Sequence, residues 1–533
     1  MITADHARFN KKERSWILYD WANSVYATNI MAAIFPTIFV SFAGSRGDVW
    51  WGYGTSIATL VIALLAPVLG SIADYKGMKK KLFTGFMLVG IISTALIALT
   101  GDWRVMLIGY IVSKIGFSGS NLFYDSFLTD VTTNERMDKV SSWGYAMGYI
   151  GGSTIPFVLS IIVLMTMGYS NPFAQKFSIL ITSVWWLVFS IPFLKNVEQV
   201  HYIEKAGRLT LKDTFGNVLT TARDIATHRG LLLFILAYFF YIDGVGTVIS
   251  ISTAYGSALG LGATGMILAL LVTQIVAMPS SILFAKLAKR ISTRKALLIA
   301  ISVYMLICLV GFFMGFSLEP HQTAYQDAFV KERAAIEADF PSNSYDDPEG
   351  IQSALKTYME QAEKAIIISD KTLLDQLALQ VKNVSEKDTA LAAQAQQGLT
   401  ARLIAFRDDS IGIIRQYTDA IDFSTKLFWA MAVLVGTMQG GIQAVSRSYF
   451  GKLVPKKRSN EYFGFFDIFG KFATVVGPLL YAVVGSLTGR SSFGALCLLF
   501  LFLAGFIILI LAKKPLEELE AARAVQAASE SEG

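Results

Sequence analysis

Three features of the sequence predict an all-α polytopic membrane protein with twelve transmembrane helices in two six-helix bundles: apolar composition, sorting of charge between loops, and an internal repeat. Of 533 residues, 53% are hydrophobic and 16% charged. Soluble domains carry about 25% charged residues. Mean hydropathy is +0.50.

Crossing a bilayer takes about 20 apolar residues. Runs of that length start near residues 16, 50, 82, 104, 140, 174, 231, 262, 296, 425, 461 and 492. The segment before Trp16 is basic (Arg8, Lys11, Lys12, Arg14), and the run after it is too long for a cleavable signal. Lysines 76, 79, 80 and 81 follow span 2, and Arg136 and Lys139 follow span 4. Lys286, Lys289, Arg290, Arg294 and Lys295 follow span 8, and Lys452, Lys456, Lys457 and Arg458 follow span 10. Positive charge gathers in cytoplasmic loops. Both termini are therefore expected in the cytoplasm, with the spans in the plasma (inner) membrane if the source is bacterial. Topology also accounts for the net charge of +6, so no nucleic-acid partner is expected. Cys308 and Cys497 lie inside apolar runs, which points away from a disulfide framework.

The expected organisation is an N-terminal bundle over 1–194, a cytoplasmic linker over 195–230, and helices 7–9 over 231–317. An external insertion over 318–423, helices 10–12 over 424–512 and a cytoplasmic tail over 513–533 complete it. In the linker, Leu211, Phe215, Val218, Leu219, Ala222 and Ile225 share one helical face. Thr210 and Asp213 are placed as a cap and Gly230 as the stop, so this segment reads as a helix on the membrane surface. The insertion follows an odd-numbered span and holds 18 acidic against 10 basic residues. Leu373, Leu374, Leu377, Val381, Leu399 and Leu403 repeat at helical spacing there, around the turn "FPSNSYDDPEG". A helical hairpin is expected, with partner docking or a lid as its open roles.

"GSIADYKGMKKK" ends span 2 and "AKLAKRISTRKA" ends span 8, about 215 residues on. "GFSGSNLFYDSF" in span 4 has a weaker echo in "GTMQGGIQAVSR" in span 10. Such a duplication predicts a solute site near the midplane between the halves. Polar stripes agree. Span 1 carries Asp20, Asn23 and Ser24, and span 4 carries Lys114, Ser118, Asn121 and Asp125. Span 7 carries Asp243, Thr247 and Ser250; span 10 carries Gln439, Gln443 and Ser446; span 11 adds Asp467, Lys471 and Thr474. Spans 3, 6, 9 and 12 lack a stripe and can face lipid. Gly144, Gly148, Gly151 and Gly152 allow close approach at span 5.

Charge inside a bilayer is expensive, so each such residue needs a reason. Asp20 is expected about 6 Å into its helix and Asp243 about 18 Å. Gly244 and Gly246 beside Asp243 would permit unwinding. For Asp243 and Lys114 the choice is between binding solute or a coupling proton and a structural hydrogen bond. Asp20 chooses between that role and anchoring at the cytoplasmic gate. Asp467 and Lys471 could neutralise each other at i, i+4. Gln439 and Gln443 could line the path or hold helices together.

"YDWANSVYAT", "YFFYIDGVGT", "GGIQAVSRSYFGKLVP" and "EYFGFFDIFGK" together resemble the vacuole-effluxer-like branch of the major facilitator superfamily, which includes the autophagy-related vacuolar amino-acid effluxers. The resemblance covers nearly all twelve spans but not the insertion. It implies the major facilitator fold, alternating access, and a neutral amino acid or similar zwitterion as solute. "GSIADYKGMKKK" is similar to the superfamily's loop between helices 2 and 3, implying a gate at Gly70, Asp74, Lys76, Gly77 and Lys79, with Asp467 among the gating set. Tyr75 stands where a basic residue is usual. The Asp74 carboxylate is expected to accept N–H groups from the start of span 11, near Glu461 to Phe463.

The four histidines (His6, His201, His228, His321) lie outside the spans and are not spaced as metal ligands. No GxxxxGK[ST] loop occurs, so ATP-driven transport is not indicated. The expected protein is a secondary transporter without a cofactor, taking a small polar solute, protons or another coupling ion, and the bilayer as partners. A non-transporting sensor or scaffold acting through the insertion is the alternative.

Overall fold

The computed structural model describes residues 8–43, 47–153, 155–168, 171–204, 211–339 and 401–532. Twelve helices are long and apolar enough to cross a membrane. The first half holds α1 (Lys11–Ala43), α2 (Gly47–Ala73), α3 (Met78–Ile97), α4 (Trp103–Val131), α5 (Met137–Met167) and α6 (Pro172–Asn196). The second holds α7 (Arg229–Ala258), α8 (Ala263–Ile291), α9 (Thr293–Asp339), α10 (Ile411–Leu453), α11 (Lys456–Thr488) and α12 (Ser491–Leu511).

Local chemistry sets the helix starts. Asn10 opens α1 with a reciprocal capping box: its side chain accepts the Glu13 N–H at 2.8 Å, and Glu13 accepts the Asn10 N–H at 2.9 Å. The α1 helix thus begins before the apolar run. Asp20 consequently lies nine residues past Lys11, roughly 14 Å into the helix at 1.5 Å per residue rather than near its end. A π-helical stretch, Tyr26–Ala33, interrupts α1 further on.

Helices of each half pack among themselves, and the halves meet along a seam where α2 and α4 touch α11 and α5 touches α8 and α10. Adding six to the helix number exchanges these pairings, as a duplicated bundle requires. The hydrogen bonds and ion pairs across the seam gather toward the end that carries both termini. At the opposite end, Ile34–Ala43 of α1 and Ile155–Met167 of α5 pack against helices of their own half. Exposed apolar side chains stand on α3, α6, α9 and α12, as in Ile92, Val184, Phe313 and Phe500, and equally on α2 and α5, as in Leu64 and Met165, so the expected distinction between lipid-facing and other spans is not seen in exposure.

Outside the spans, several expectations change. The linker helix runs Leu211–Thr227, but Gly230 does not stop it. Gly230 sits in the first turn of α7, where a Cβ would meet the Pro515 carbonyl at 2.5 Å. The Thr210–Asp213 cap lies outside the described residues or side chains. Thr221 and Ile225 of the linker helix are buried, and Asn217 bonds the Tyr75 hydroxyl while Asp224 takes the Tyr462 hydroxyl. The helix therefore docks on the bundle, bridging the α2–α3 loop and the start of α11. Leu219, assigned to the apolar face, is exposed.

The proposed insertion grows directly from the spans: α9 runs unbroken to Asp339, and α10 begins at Ile411 rather than near 425. Residues 340–400, with the expected turn and most of the hairpin leucines, lie outside the description. The flanking helical ends pack side by side through Tyr325 on Tyr417 (5.1 Å), Phe329 on Phe406 (6.0 Å) and Glu332 with Arg402 (2.7 Å).

Candidate functional site

At the end of α2 the chain turns sharply. Gly77 starts α3 with φ +72°, a left-handed conformation that suits glycine. The turn leaves Asp74 buried and facing the first turn of α11. Its carboxylate accepts the N–H groups of Asn460 (3.0 Å) and Glu461 (3.1 Å) and the Asn460 amide at 2.7 Å. Free amides at a helix N-terminus make a ready anion site, and this is where the sequence placed the contact. A Cβ on Gly70 would come within 2.5 Å of the Asn460 carbonyl, so α2 and α11 close only over glycine. Burial pushes the Asp74 carboxyl up to about 7, against the Lys79 charge and the bonds from Asn460.

The basic residues of this loop divide. Lys79 is fully buried and pairs with Asp130 at 2.6 Å, with Ser126 and Ser459 beside it. Asp130 also accepts the Val200 and His201 N–H groups, tying the linker to the loop. Lys76 is exposed and faces Glu204 at 3.7 Å, a surface contact worth little. Tyr75 pairs its backbone with Ile203.

One turn deeper lies a residue that the sequence reading quoted but did not select. Arg447 on α10 is only 3% exposed and reaches into the first half. It donates to Asp125 on α4 at 2.8 Å and to Asp20 on α1 at 3.4 Å. It also donates to the Ser141 hydroxyl and carbonyl on α5 at 3.0 and 3.1 Å. Its guanidinium lies over the rings of Tyr145 (4.5 Å) and Trp16 (4.7 Å). Tyr124 donates to Asp20 at 2.7 Å. Gly144 makes the room: a Cβ there would approach Asp20 Oδ2 at 2.5 Å. The signal was charge within the spans, aspartates on α1 and α4 with Lys114 about three turns away from Asp125, set against an arginine inside the last turns of α10. The loop-charge count there begins at Lys452 and leaves Arg447 out.

Above this cluster, a cavity of about 200 Å³ opens between the halves, lined by Asp125 of α4, Tyr238 of α7 and Phe463, Phe466 and Asp467 of α11. Asp467, expected at the gate, therefore shares the cavity with Asp125, two turns away from Asn460. The Lys471 and Thr474 side chains lie outside the described residues.

The remaining predicted residues are dispersed. Asn23 and Asn121 bond each other at 2.6 Å and join α1 to α4. Lys114 is buried and donates to the Thr55 carbonyl of α2 at 3.2 Å. Gln439 meets Tyr149 across the seam, and Gln443 follows one turn later, half-buried. Asp243 is completely buried on α7, apart from the seam cluster. Thr247 and the Gly477 backbone lie beside it, yet among the described residues no hydrogen bond of normal geometry and no ion pair satisfies either oxygen. The unwinding that Gly244 and Gly246 would permit is not used here, since α7 is continuous. Gly244 instead admits the Phe502 ring, 2.6 Å from where its Cβ would stand.

The profile of the family described as vacuole effluxer Atg22 like matches residues 50–325 and 410–519. An uncharacterized MFS-type transporter, YxiO, of Bacillus subtilis (strain 168) is 38% identical over 515 residues, covering 94% of this chain and 95% of that one. Among solved structures, a bacterial homologue of the iron transporter ferroportin superposes with a TM-score of 0.55 at 12% identity, covering 96% and 98% of the two chains. The major facilitator superfamily proton:xylose symporter XylE gives 0.52 at 9% identity, covering 93% and 94%. At those identities the likeness is one of fold.

Proposed function

This chain belongs to the vacuole effluxer Atg22-like family of membrane transporters, and from that premise we propose that it is a secondary transporter moving a small zwitterion, such as an amino acid, by alternating access. The observation that carries this reading is the one-sided seam. Polar contacts join the halves at the end bearing the termini, which loop charge assigns to the cytoplasm, while Ile34–Ala43 and Ile155–Met167 stay with their own half. Rocking the halves about the middle of the seam exchanges which end is closed. Buried polar locks suit this motion, because their groups find water or solute when the seam parts.

Asp243 supplies a coupling site in this scheme. Its carboxylate is buried and, among the described residues, meets no cation, so it is available to a proton or to a cationic group. Reconstitution tests both statements. Proteoliposomes with an imposed pH gradient should accumulate an amino acid from a radiolabelled mixture, and collapsing the gradient should abolish accumulation but not exchange. Vesicles that take up no amino acid under either condition would remove the reading.

A further inference from the structure

The Arg447 cluster has the chemistry of a zwitterion site already filled from within. A guanidinium from one half occupies two carboxylates of the other. Asp125 is the hinge of the arrangement, because its side chain is 32% exposed and forms part of the cavity wall while also holding Arg447. Parting the halves pulls Arg447 on α10 away from Asp20 and Asp125 on α1 and α4. Each ion would then be left partly desolvated and unpaired, which is strongly unfavourable. A solute carrying one cationic and one anionic group offsets that penalty for Arg447 and Asp125 at once, while Asp20 keeps its hydrogen bond from Tyr124.

We propose that this internal ion pair and the solute are alternatives: the solute ammonium enters the cavity and takes Asp125, and the freed Arg447 takes the solute carboxylate. The proposal rests on the zwitterion reading above and assigns its two charge contacts. The aromatic walls favour it, since Tyr145 and Trp16 stabilise a cation at the position of the guanidinium. A guanidinium also grips a carboxylate through two parallel bonds. The cluster carries two carboxylates to one guanidinium. A monovalent ammonium is therefore welcome before Arg447 leaves, which allows exchange without an exposed intermediate.

The test uses the full-length protein in detergent, with melting temperature as the binding readout and a single cysteine at the cytoplasmic end as the readout of closure. Each of the twenty amino acids is screened, and the strongest is compared with its amide, which lacks the carboxylate, and its N-acetyl form, which lacks the ammonium. Wild type should favour the free amino acid at least ten-fold over both. Arg447→Gln should label faster at the cytoplasmic end without solute and bind the amide within about two-fold of the acid. Arg447→Lys, which keeps the charge but not the paired bonds, should retain the preference for the acid. Asp125→Asn should erase the preference over the N-acetyl form. An Arg447→Gln protein that still prefers the acid ten-fold, or that stays closed, makes Arg447 a structural brace and overturns the exchange. If Arg447→Gln does not fold, Arg447→Met takes its place: binding of the amide within about two-fold of the acid supports the contact, and a ten-fold preference for the acid overturns it. A wild type that responds to none of the twenty defeats the zwitterion reading itself, and the exchange with it.

Discussion

Asp74 and Asn460, 386 positions apart in sequence, are joined by two hydrogen bonds to one carboxylate oxygen, from the Asn460 backbone at 3.0 Å and its side-chain amide at 2.7 Å. Glu461 adds a third donor to the other oxygen. Hydrogen bonds to a charged group contribute about 1.5–3 kcal/mol each when made. Asp74→Ala should therefore shift the conformational equilibrium toward the cytoplasm-open state by on the order of ten-fold or more. Labelling of single cysteines at both ends reads this directly, and unchanged rates at both would exclude a gating role for Asp74.

The same contact makes closure depend on pH. When closed, burial holds the Asp74 carboxyl up to about 7, with Glu461 adding to the rise and Lys79 and Asn460 opposing it. Once hydrated, an aspartate returns to about 3.9. The closed state thus binds a proton more tightly, so protonation favours closure. This stabilisation is complete below about 4 and is lost as pH rises through 7. Cytoplasmic labelling should be slower at pH 5.5 than at pH 8, and Asp74→Asn should flatten the profile. A profile that survives Asp74→Asn places the titration elsewhere.

Asp243→Asn should leave the protein folded and abolish accumulation driven by a pH gradient, while counterflow of unlabelled for labelled solute continues. Gly477→Ala probes the same pocket differently. A Cβ there would overlap the Thr247 hydroxyl and stand 3.0 Å from Asp243 Oδ1. Overpacking of this kind costs about 1–3 kcal/mol, so the melting temperature should fall. Full proton-driven accumulation by Asp243→Asn would take Asp243 out of the mechanism.

The 318–423 segment, proposed to be external, is predicted to be dispensable only over 340–400. Glu319 bonds Arg490 at 2.7 Å and the Ser492 N–H at 2.8 Å, and Gln322 bonds the Ala258 carbonyl. These contacts brace α9 against the loops of its own half. Replacing 340–400 with a short Gly/Ser linker should keep uptake within a few fold, because loop closure changes slowly with length. Removing all of 318–423 should lower stability by breaking the Glu319 contacts. Complete loss of uptake in a well-folded 340–400 replacement would point instead to a lid over the outer mouth.

Hydropathy, loop charge and the repeat were enough to read twelve spans and two halves from the sequence. Each depends on the local run of residues, and a bilayer penalises exposed polar backbone so heavily that few alternatives survive. The Asp74 contact was legible for a similar reason, since a buried acid at a helix end needs donors and a helix N-terminus offers them. Helix limits were less so. The Asn10 capping box and the ends of α9 and α10 extend helices through residues that no hydropathy window marks, which misplaced Asp20 along its helix. Only the tertiary structure decided which charges meet. Lys114 finds a carbonyl, Lys76 the surface, and Asp243 no cation among the described residues, while Arg447 crosses the seam to Asp20 and Asp125. Those pairings depend on the rotation of each helix and the register between halves, set by close contacts at Gly70 and Gly144. Such long-range packing leaves no periodic trace along the chain.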